Sequence, residues 1–317
     1  MSDFVKQQNN TCDFRTSDSW VILSPIEQSI KRKIEAVGTP LKDWDIQINY
    51  GIKTGYNEAF IIKSDKRDEI LRSCVDYDEA HPIVSEYINS EGIHCPNLDI
   101  PDFYDPIGET ARTAALIRPI LRGRDIKRYG YNWANLWLIN THNGVKGKYP
   151  PIDINDYPAI KQHLDLYWDK ISKRDDKGVT PYNLRNCAYL EDFNKPKIVW
   201  ASVGETFYSL VPEKYLLLDT NYFFAKDNPN ELLAILNSKL ITWWINSEDT
   251  QLGSGGAWRH YKYNLEKLHI PNTHLFEEEI AHIQKEQNIL EYSKLIDDKV
   301  YDLYDLTSEE IDAIENS

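Results

Sequence analysis

Residues 118–131 read RPILRGRDIKRYGY, and this stretch decides where a helix gives way to a strand near the middle of the chain. The residues just before it, 110–117, are typical of a helix. Pro119 would cost about 3 kcal/mol inside that helix, so the helix should end near Arg118. We expect the basic residues that follow to form a short turn of helix that leads into a strand.

On the C-terminal side, Trp133 and residues 136–139 form a short apolar run that predicts a buried strand. The stretch NTHNGVKGK at 140–148 then supplies a turn. A helix should begin near Pro158. Its apolar face, at helical spacing, would contain Ile160, Leu164, Trp168 and Ile171.

On the N-terminal side, Ser24 and Glu27 have the spacing of a capping box with a proline between them. A helix should therefore begin there and end at Gly38. Residues 46–50 alternate apolar and polar as a strand does, and 51–63 predicts a strand, a glycine turn and a second strand.

The C-terminal half contains both strands and helices. Residues 197–226 should form several short strands, 230–247 one buried helix and 259–271 a strand. A long polar helix is predicted for 276–304, and Thr307 begins a second capping box before a last short helix. The sum predicts an α+β fold of mixed short-strand sheets and packed helices, with a helical C-terminal tail.

Composition is that of a soluble globular protein. Of the 317 residues, 41% are hydrophobic and 27% charged, which suits one large or two ordinary domains. No run of about 18 apolar residues predicts a membrane span, and the N-terminus lacks the apolar core of a secretory signal. The four cysteines lie far apart, which argues against a disulfide framework and a zinc site. We expect a cytoplasmic protein without a bound metal.

Charge is strongly segregated along a chain whose net charge is −14. Thirteen acidic and three basic residues lie in 277–317, and twelve acidic and three basic in 65–109, where we expect short helices and loops. Residues 112–148 contain eight basic residues and one acidic. A solvated charge run is the ordinary explanation, but one face can be basic although the whole chain is acidic.

Signatures of common catalytic sites are absent from the sequence. KTG at 53–55 has no accompanying S-x-x-K, and GIKTG does not fit a phosphate-binding loop. Neither G-x-S-x-G nor H-E-x-x-H occurs, and the eight histidines lack the spacing of metal ligands. The Asn-Pro-Pro-Tyr motif of amino-methyltransferases is missing as well. We therefore predict no catalytic residue in this chain.

Polar, basic and aromatic residues are instead concentrated in turns between apolar strands. Arginine and lysine bind phosphates, arginine can also read guanine, and asparagine can pair with adenine. A nucleic-acid surface would use such residues. The loops that combine them with glycine or an aromatic ring are 53–57, 122–128, 140–148, 174–186 and 258–262.

Six blocks of sequence, in this order, resemble the TaqI-like C-terminal specificity domain. They are GIKTGYNEAFII (51–62), LIRPILRGRDIKRY (116–129), LWLINTHNG (136–144), YPAIKQHL with KRDDKGVTPYNLRNCAYLEDFNKPKIV (within 157–199), LLAILNSKL (232–240) and LEKLHIP (265–271). That domain is the target recognition part of Type IIG restriction-modification enzymes and related adenine-specific DNA methyltransferases. The tail at 295–315 resembles the same proteins.

The resemblance implies a division of labour between domains. A catalytic domain, in cis or as a separate subunit, would extrude an adenine and methylate it with S-adenosylmethionine, and a nuclease with magnesium could accompany it. This chain would bind double-stranded DNA and need no cofactor of its own. Residues 1–38 would link to the absent catalytic domain, 39–275 would recognise the target and 276–317 would form the tail.

Within the five candidate loops, side-chain chemistry predicts roles for single residues. Those expected to contact the DNA backbone are Lys53, Arg122, Arg124, Lys127, Arg128, Lys146, Lys148, Arg259 and Lys262. Those expected to read bases are Asn57, Asn140, His142, Asn143, Arg174, Lys177, Tyr182, Asn183 and Arg185.

Two other classes of function remain open from the sequence. The chain could be a DNA nuclease or methyltransferase whose catalytic residues are dispersed. It could also be a carbohydrate- or protein-binding module, since nine tryptophans and twenty tyrosines accompany the acidic composition.

Overall fold

The computed structural model describes residues 23–74, 108–254, 256–285 and 288–317. The predictions for 1–22, and for most of the acidic segment 65–109, fall outside this part of the chain. Spatial contacts divide the described residues into two units. The terminal unit takes its residues from Met1–Gln47, Ser202–Tyr208 and Asn228–Ser317, and the central unit from Ile48–Ala201 and Ser209–Asp227.

Helices and short strands alternate along the described residues, as the predicted α+β fold requires. The helices are α1 (Pro25–Ala36), α2 (Asn57–Phe60), α3 (Ser64–Ser73), α4 (Glu109–Leu116), α5 (Pro158–Asp165), α6 (Trp168–Ile171), α7 (Asn230–Leu236), α8 (Lys239–Glu248), α9 (Lys262–Lys267), α10 (Glu277–Gln284), α11 (Ile289–Leu303) and α12 (Ser308–Glu315). The strands are β1 (Thr39–Pro40), β2 (Asn49–Tyr50), β3 (Ile61–Lys63), β4 (Ile117–Leu121), β5 (Leu136–Ile139), β6 (Lys197–Ala201), β7 (Val203–Gly204), β8 (Ser209–Val211), β9 (Leu216–Leu217), β10 (Asn221–Ala225), β11 (Thr250–Leu252), β12 (Ala257–Arg259) and β13 (His269–Ile270).

Two four-stranded sheets build the central unit. One has the order β2-β10-β6-β8 and is antiparallel throughout. The other has the order β3-β5-β4-β9, in which only the β4–β9 pair is parallel. Their core includes Phe60, Leu138, Phe193 and Phe223, all fully buried. Each such side chain contributes about 1.5–3 kcal/mol by leaving water.

Helices dominate the terminal unit, and its helix caps follow the sequence closely. The predicted capping boxes begin α1 at Ser24 and α12 at Thr307. Small sheets accompany the helices, with the orders β1-β13 and β11-β12-β7. No helix among the described residues is both long enough and apolar enough to cross a membrane.

Three elements of the terminal unit were predicted to be continuous, but the structure interrupts each of them. The buried helix at 230–247 is two helices, because the Ser238 side chain accepts a hydrogen bond from the backbone of Ile241 and caps α8. The polar helix at 276–304 is also two, and Asn288 before α11 adopts a left-handed conformation. The predicted strand at 259–271 contains α9 between two short strands.

Two predictions in the central unit are also corrected. The basic segment forms a strand first (β4) and a 3-10 turn second (Gly123–Asp125), which reverses the expected order. Trp168 is 43% exposed instead of lying on the buried face of one continuous helix. The helix is interrupted at Tyr167, whose backbone is not helical, so α6 presents a different face from α5.

Candidate nucleic-acid interface

The basic turn, residues 122–128, leaves the end of β4 as a rigid loop. The carboxylate of Asp125 accepts a hydrogen bond from the backbone N–H of Arg122 at 2.8 Å and forms an ion pair with its guanidinium at 2.6 Å. Asp125 is itself buried, 4% exposed. Arg122 was expected to contact the DNA backbone, but its charge is already paired and its structural role is to close this turn.

Two cations project from the basic turn into solvent. The side chains of Arg124 and Lys127 are exposed, and within the part of the chain that the structure describes neither forms a hydrogen bond or an ion pair. Arg128 is partly buried and lies over the ring of Tyr129, 5.4 Å from its centroid. The fixed backbone and the two unpaired charges make this turn suited to binding an anion.

A second cluster joins three of the predicted loops, 53–57, 140–148 and 174–186, which we call the loop cluster. The backbone N–H of Leu184 donates to the carbonyl of Thr141 at 2.8 Å. The side chain of Asn143 accepts from the backbone N–H of Val179 at 2.7 Å. Lys53 forms an ion pair with Asp176 at 2.8 Å. All three loops therefore share one surface of the central unit.

Arg174, an expected base reader, holds the loop cluster together from inside. It is only 7% exposed, and its guanidinium donates to the backbone carbonyls of Thr54, Asp176, Pro181 and Asn183. The group also lies over the ring of Phe60, 4.4 Å from its centroid. Burial lowers the pKa of Arg174 to about 10. The donors a base would need are already used, so we withdraw this assignment.

Two expected asparagine readers are buried as well. Asn183 is 1% exposed, donates to the carbonyl of Ile152 at 2.8 Å and accepts from the Thr180 hydroxyl at 2.6 Å. Asn140 is 5% exposed, and its backbone N–H donates to the carbonyl of Leu116 at 3.0 Å. Neither amide reaches the surface, so both assignments to base reading are withdrawn.

His142 is a neutral, partly buried member of the same loop. Its Nδ1 accepts a hydrogen bond from the backbone N–H of Gly144 at 3.2 Å, which requires Nδ1 to carry no proton. Its ring meets that of Tyr149 edge-on with centroids 5.3 Å apart. Burial lowers the pKa of His142 to about 4. The side chain therefore supports the loop and carries no charge at neutral pH.

The remaining expected base readers reach the surface of the loop cluster. Arg185 is exposed and pairs with Asp176 at 3.1 Å, on the same carboxylate as Lys53. Lys177 is exposed and donates to the carbonyl of Ser172 at 2.9 Å. Asn57 is also exposed. Its side-chain oxygen accepts from the Thr54 hydroxyl, which leaves the amide nitrogen available.

Tyr182 is partly buried, and its hydroxyl is bound to a carboxylate. It donates to Asp165 at 2.6 Å, and the ring lies tilted against that of Trp168, with centroids 5.3 Å apart. Lys161 also binds Asp165, at 2.7 Å. The contact between Trp168 and Tyr182 was missed because Trp168 was expected in the core. The interruption of the helix at Tyr167 is a tertiary feature that no proline or glycine signals.

An open hollow of about 600 Å³ lies beside the loop at 140–148. Lys146 and Lys148 line it, and Lys148 forms an ion pair with Glu191. Asn143 and Asn186 contribute amides to the same wall. Asn186 was not singled out from the sequence, since its place in the hollow depends on how two loops meet.

The basic turn and the loop cluster lie at different ends of the β4–β5 pair. Ile117 pairs with Ile139, so the turn after β4 and the loop after β5 depart from opposite ends of two antiparallel strands. Four residue steps along β4 separate those ends by about 14 Å. This separation is comparable with the major groove of DNA, about 12 Å wide.

A short connection links the two clusters across this distance. Gly123 in the basic turn donates its backbone N–H to the hydroxyl of Thr220 at 2.9 Å. The backbone N–H of the neighbouring residue, Asp219, donates to the carbonyl of Ile52 at 3.0 Å. Residues 219–220 therefore connect the basic turn with the loop that contains Lys53.

The last two expected backbone contacts belong to the terminal unit. Arg259 is exposed at the end of β12, and Lys262 begins α9, where it pairs with Glu266 at 3.3 Å. Among the described residues, no group of His, Cys, Asp and Glu side chains has an arrangement that could hold a metal ion.

About half of the chain resembles a known family of domains. Residues 118–270 match the TaqI-like C-terminal specificity domain. The resemblance inferred from the sequence is thereby confirmed for this part of the chain. The match to the TaqI-like specificity domain includes the basic turn and two of the three loops in the loop cluster.

The fold is similar to that of a solved restriction-modification enzyme. The Type IIL restriction-modification enzyme MmeI, solved in complex with DNA, superposes with a TM-score of 0.55 at 11% identity, over 88% of this chain and 36% of MmeI. The Type IIG restriction endonuclease BpuSI gives a TM-score of 0.47 at 13% identity, over 88% of this chain and 32% of its own. This chain thus spans about a third of each enzyme's length. No curated protein sequence matches it.

Proposed function

We propose that this chain binds double-stranded DNA at a specific sequence and serves as the target recognition part of a restriction-modification enzyme. The observation that supports this most is the basic turn, where Arg124 and Lys127 are exposed on a backbone held by Asp125. The match to the TaqI-like specificity domain supports the same proposal. Target recognition would lie within residues 39–275.

In this proposal the basic turn contacts the phosphate backbone and fixes the register of the duplex. Arg124 and Lys127 would make these contacts, with Lys146 at the tip of the neighbouring loop as a third. Phosphate contacts provide affinity without regard to sequence, and they depend on salt because counterions are released. These phosphate contacts would hold the loop cluster against the base edges.

The exposed polar residues of the loop cluster would then read bases. Arg185 and Lys177 are positive donors that suit guanine, and Asn57 carries an amide that suits adenine. Asn143 was also expected to read bases, but its side-chain oxygen already accepts the backbone N–H of Val179. Lys53 and Arg185 share Asp176 in the free protein. A DNA phosphate or guanine edge would compete with that carboxylate for the two cations.

The proposal extends to the whole protein by way of the family. A catalytic domain in cis or a separate subunit would supply adenine methylation with S-adenosylmethionine, and this chain would contribute no catalytic residue. A base within the duplex must leave the stack before it can be modified, so the DNA has to be held while this happens. Holding the duplex in register is the part that the described loops would perform.

Salt dependence tests the phosphate contacts. Arg124→Ala and Lys127→Ala should each weaken binding to all duplex sequences and lower the slope of log affinity against log salt by about 0.9. Fluorescence anisotropy with a labelled duplex at several salt concentrations measures both quantities. Lys294→Ala is the matched control, because it removes one exposed lysine from the acidic helix α11.

The control variant should retain the wild-type slope. Identical slopes in the wild type, Arg124→Ala and Lys127→Ala would exclude the basic turn from the phosphate contacts. A wild-type chain that does not bind duplex DNA at low salt would contradict the proposed function as a whole.

A further inference from the structure

Val179 stands out in the loop cluster because it is apolar and points into solvent. It is 69% exposed, and its neighbours along the loop include Lys177 and Arg185. Single exposed hydrophobic residues are common on protein surfaces, so exposure alone would carry no conclusion. What distinguishes Val179 is how firmly its backbone is held.

Three hydrogen bonds fix the loop on either side of Val179. Its own N–H donates to the side-chain oxygen of Asn143 at 2.7 Å. The N–H of Gly178 donates to the carbonyl of Asn183 at 3.0 Å, and the Thr180 hydroxyl donates to the Asn183 side chain at 2.6 Å. The loop tip is therefore ordered by side chains from two loops.

One anchor of this tip, Asn183, is buried, and another, Gly178, is tightly packed. Asn183 is 1% exposed and donates to the carbonyl of Ile152 at 2.8 Å. Gly178 lies so close to the side chain of Asn143 that a Cβ would collide with it, and that Cβ would also lie 2.7 Å from the carbonyl of Leu184. A glycine and two asparagines thus hold the backbone of Val179, although most of the Val179 side chain is exposed to solvent.

A fixed apolar side chain suits a ligand that offers an apolar group among negative charges. A valine side chain is stiff about χ1, so little further entropy is lost when it makes a contact. On duplex DNA, the methyl group of thymine is the apolar feature of the major groove. Cations around Val179 would bring it to the phosphates that flank such a group.

We propose that Val179 is a specificity-determining residue that recognises one thymine through its 5-methyl group. The assignment rests on the proposed function, since it assumes that the loop cluster faces the base edges of duplex DNA. Asn143, Gly178 and Asn183 then act as positioning residues, which hold Val179 at a constant place in the groove.

The test compares thymine with uracil, which lacks the methyl group. Selection from a randomised duplex library with the full chain first gives the preferred sequence, and each thymine in it is then replaced singly by deoxyuridine. Wild-type affinity should fall about fourfold at one position, the effect of one apolar carbon leaving its contact. Val179→Ser should bind the thymine and uracil duplexes equally at that position.

A second exposed valine provides the control. Val203 is 44% exposed in β7, and Val203→Ser should keep the fourfold preference of the wild type. Sequence-selective binding in which no single uracil lowers the wild-type affinity, or in which Val179→Ser keeps the preference, would overturn the assignment and leave the proposed function standing. Binding to duplexes without enrichment of any sequence would contradict both.

Discussion

At the scale of single residues, arginines with similar sequence surroundings have opposite roles. Arg124 is exposed and unpaired among the described residues, whereas Arg174 is buried and donates to four carbonyl groups. Arginine suits both roles, because its planar group presents several donors in a fixed geometry and stays protonated when partly desolvated. The two arginines differ in burial, and burial is determined by tertiary contacts.

Replacing Arg174 should therefore lower the stability of the fold and should not remove a direct contact to a DNA base. Arg174→Ala leaves several buried carbonyls without donors and should lower the free energy of unfolding by about 3 kcal/mol. Arg174→Lys should be intermediate, because an ammonium cannot reach all four acceptors at once. Urea denaturation measures the change. A stable Arg174→Ala protein that has lost preference at one base pair would restore Arg174 as a base reader.

His142 makes a pH-dependent contribution to stability. Its pKa is about 4 in the folded protein, because burial disfavours the charged ring, and about 6.5 when unfolded. The unfolded state thus binds a proton first, and stability present above pH 6.5 is lost as the pH falls toward 4. Between pH 7 and pH 5, wild type should lose about 2 kcal/mol relative to His142→Gln.

Denaturation of both proteins at the two pH values measures this difference in the free energy of unfolding. The contributions of the acidic groups that both proteins share cancel in the comparison. An identical difference at pH 7 and pH 5 would mean that His142 has the same pKa in the folded and unfolded states.

At the scale of elements, the sequence predicts helix ends well where a local cap marks them. Ser24 and Thr307 begin helices by capping boxes, as expected, since the signal lies within four residues of sequence. The break before α8 was not predicted. Ser238 caps α8, but a serine inside an apolar helical pattern does not by itself indicate that a helix begins there. The order of strand and turn after α4 depends on pairing with β5 and with β9, and β9 lies far away in sequence.

The sequence indicates which loops make up the candidate site, but not which of their side chains face solvent. Polar and glycine-rich composition marked 140–148 and 174–186, and the structure brings these two loops together. The inward orientation of Asn140 and Asn183 could not be inferred, because polar residues at loops serve equally as ligand contacts and as hydrogen-bonding supports. Only the packed structure distinguishes the two.

Hydrogen exchange tests the connection between these loops. Asn143→Ala removes the acceptor for the backbone N–H of Val179, so this amide should exchange about fivefold faster, as expected for a hydrogen bond worth about 1 kcal/mol. The amide of Leu184, which donates to the carbonyl of Thr141, provides an internal reference and should be unchanged. Unaltered exchange at Val179 would show that Asn143 does not hold the loop tip.

At the scale of the whole molecule, charge segregation reconciles an acidic chain with a basic face. The net charge of −14 would repel DNA if it were spread evenly. Instead, residues 277–317 hold thirteen acidic residues, whereas the exposed Arg124 and Lys127 of the basic turn belong to the central unit. Acidic residues in the C-terminal helices would limit binding to unrelated sequences, which phosphate attraction otherwise favours.

Hydrogen exchange of the full chain, with and without an excess of duplex DNA at low salt, would locate the DNA-binding surface. We expect slower exchange in the basic turn and in the loops at 140–148 and 174–186, and unchanged exchange in α11 and α12. Slower exchange confined to the C-terminal helices, or no change in the basic turn while DNA is bound, would contradict the claim that these loops form the DNA-binding surface.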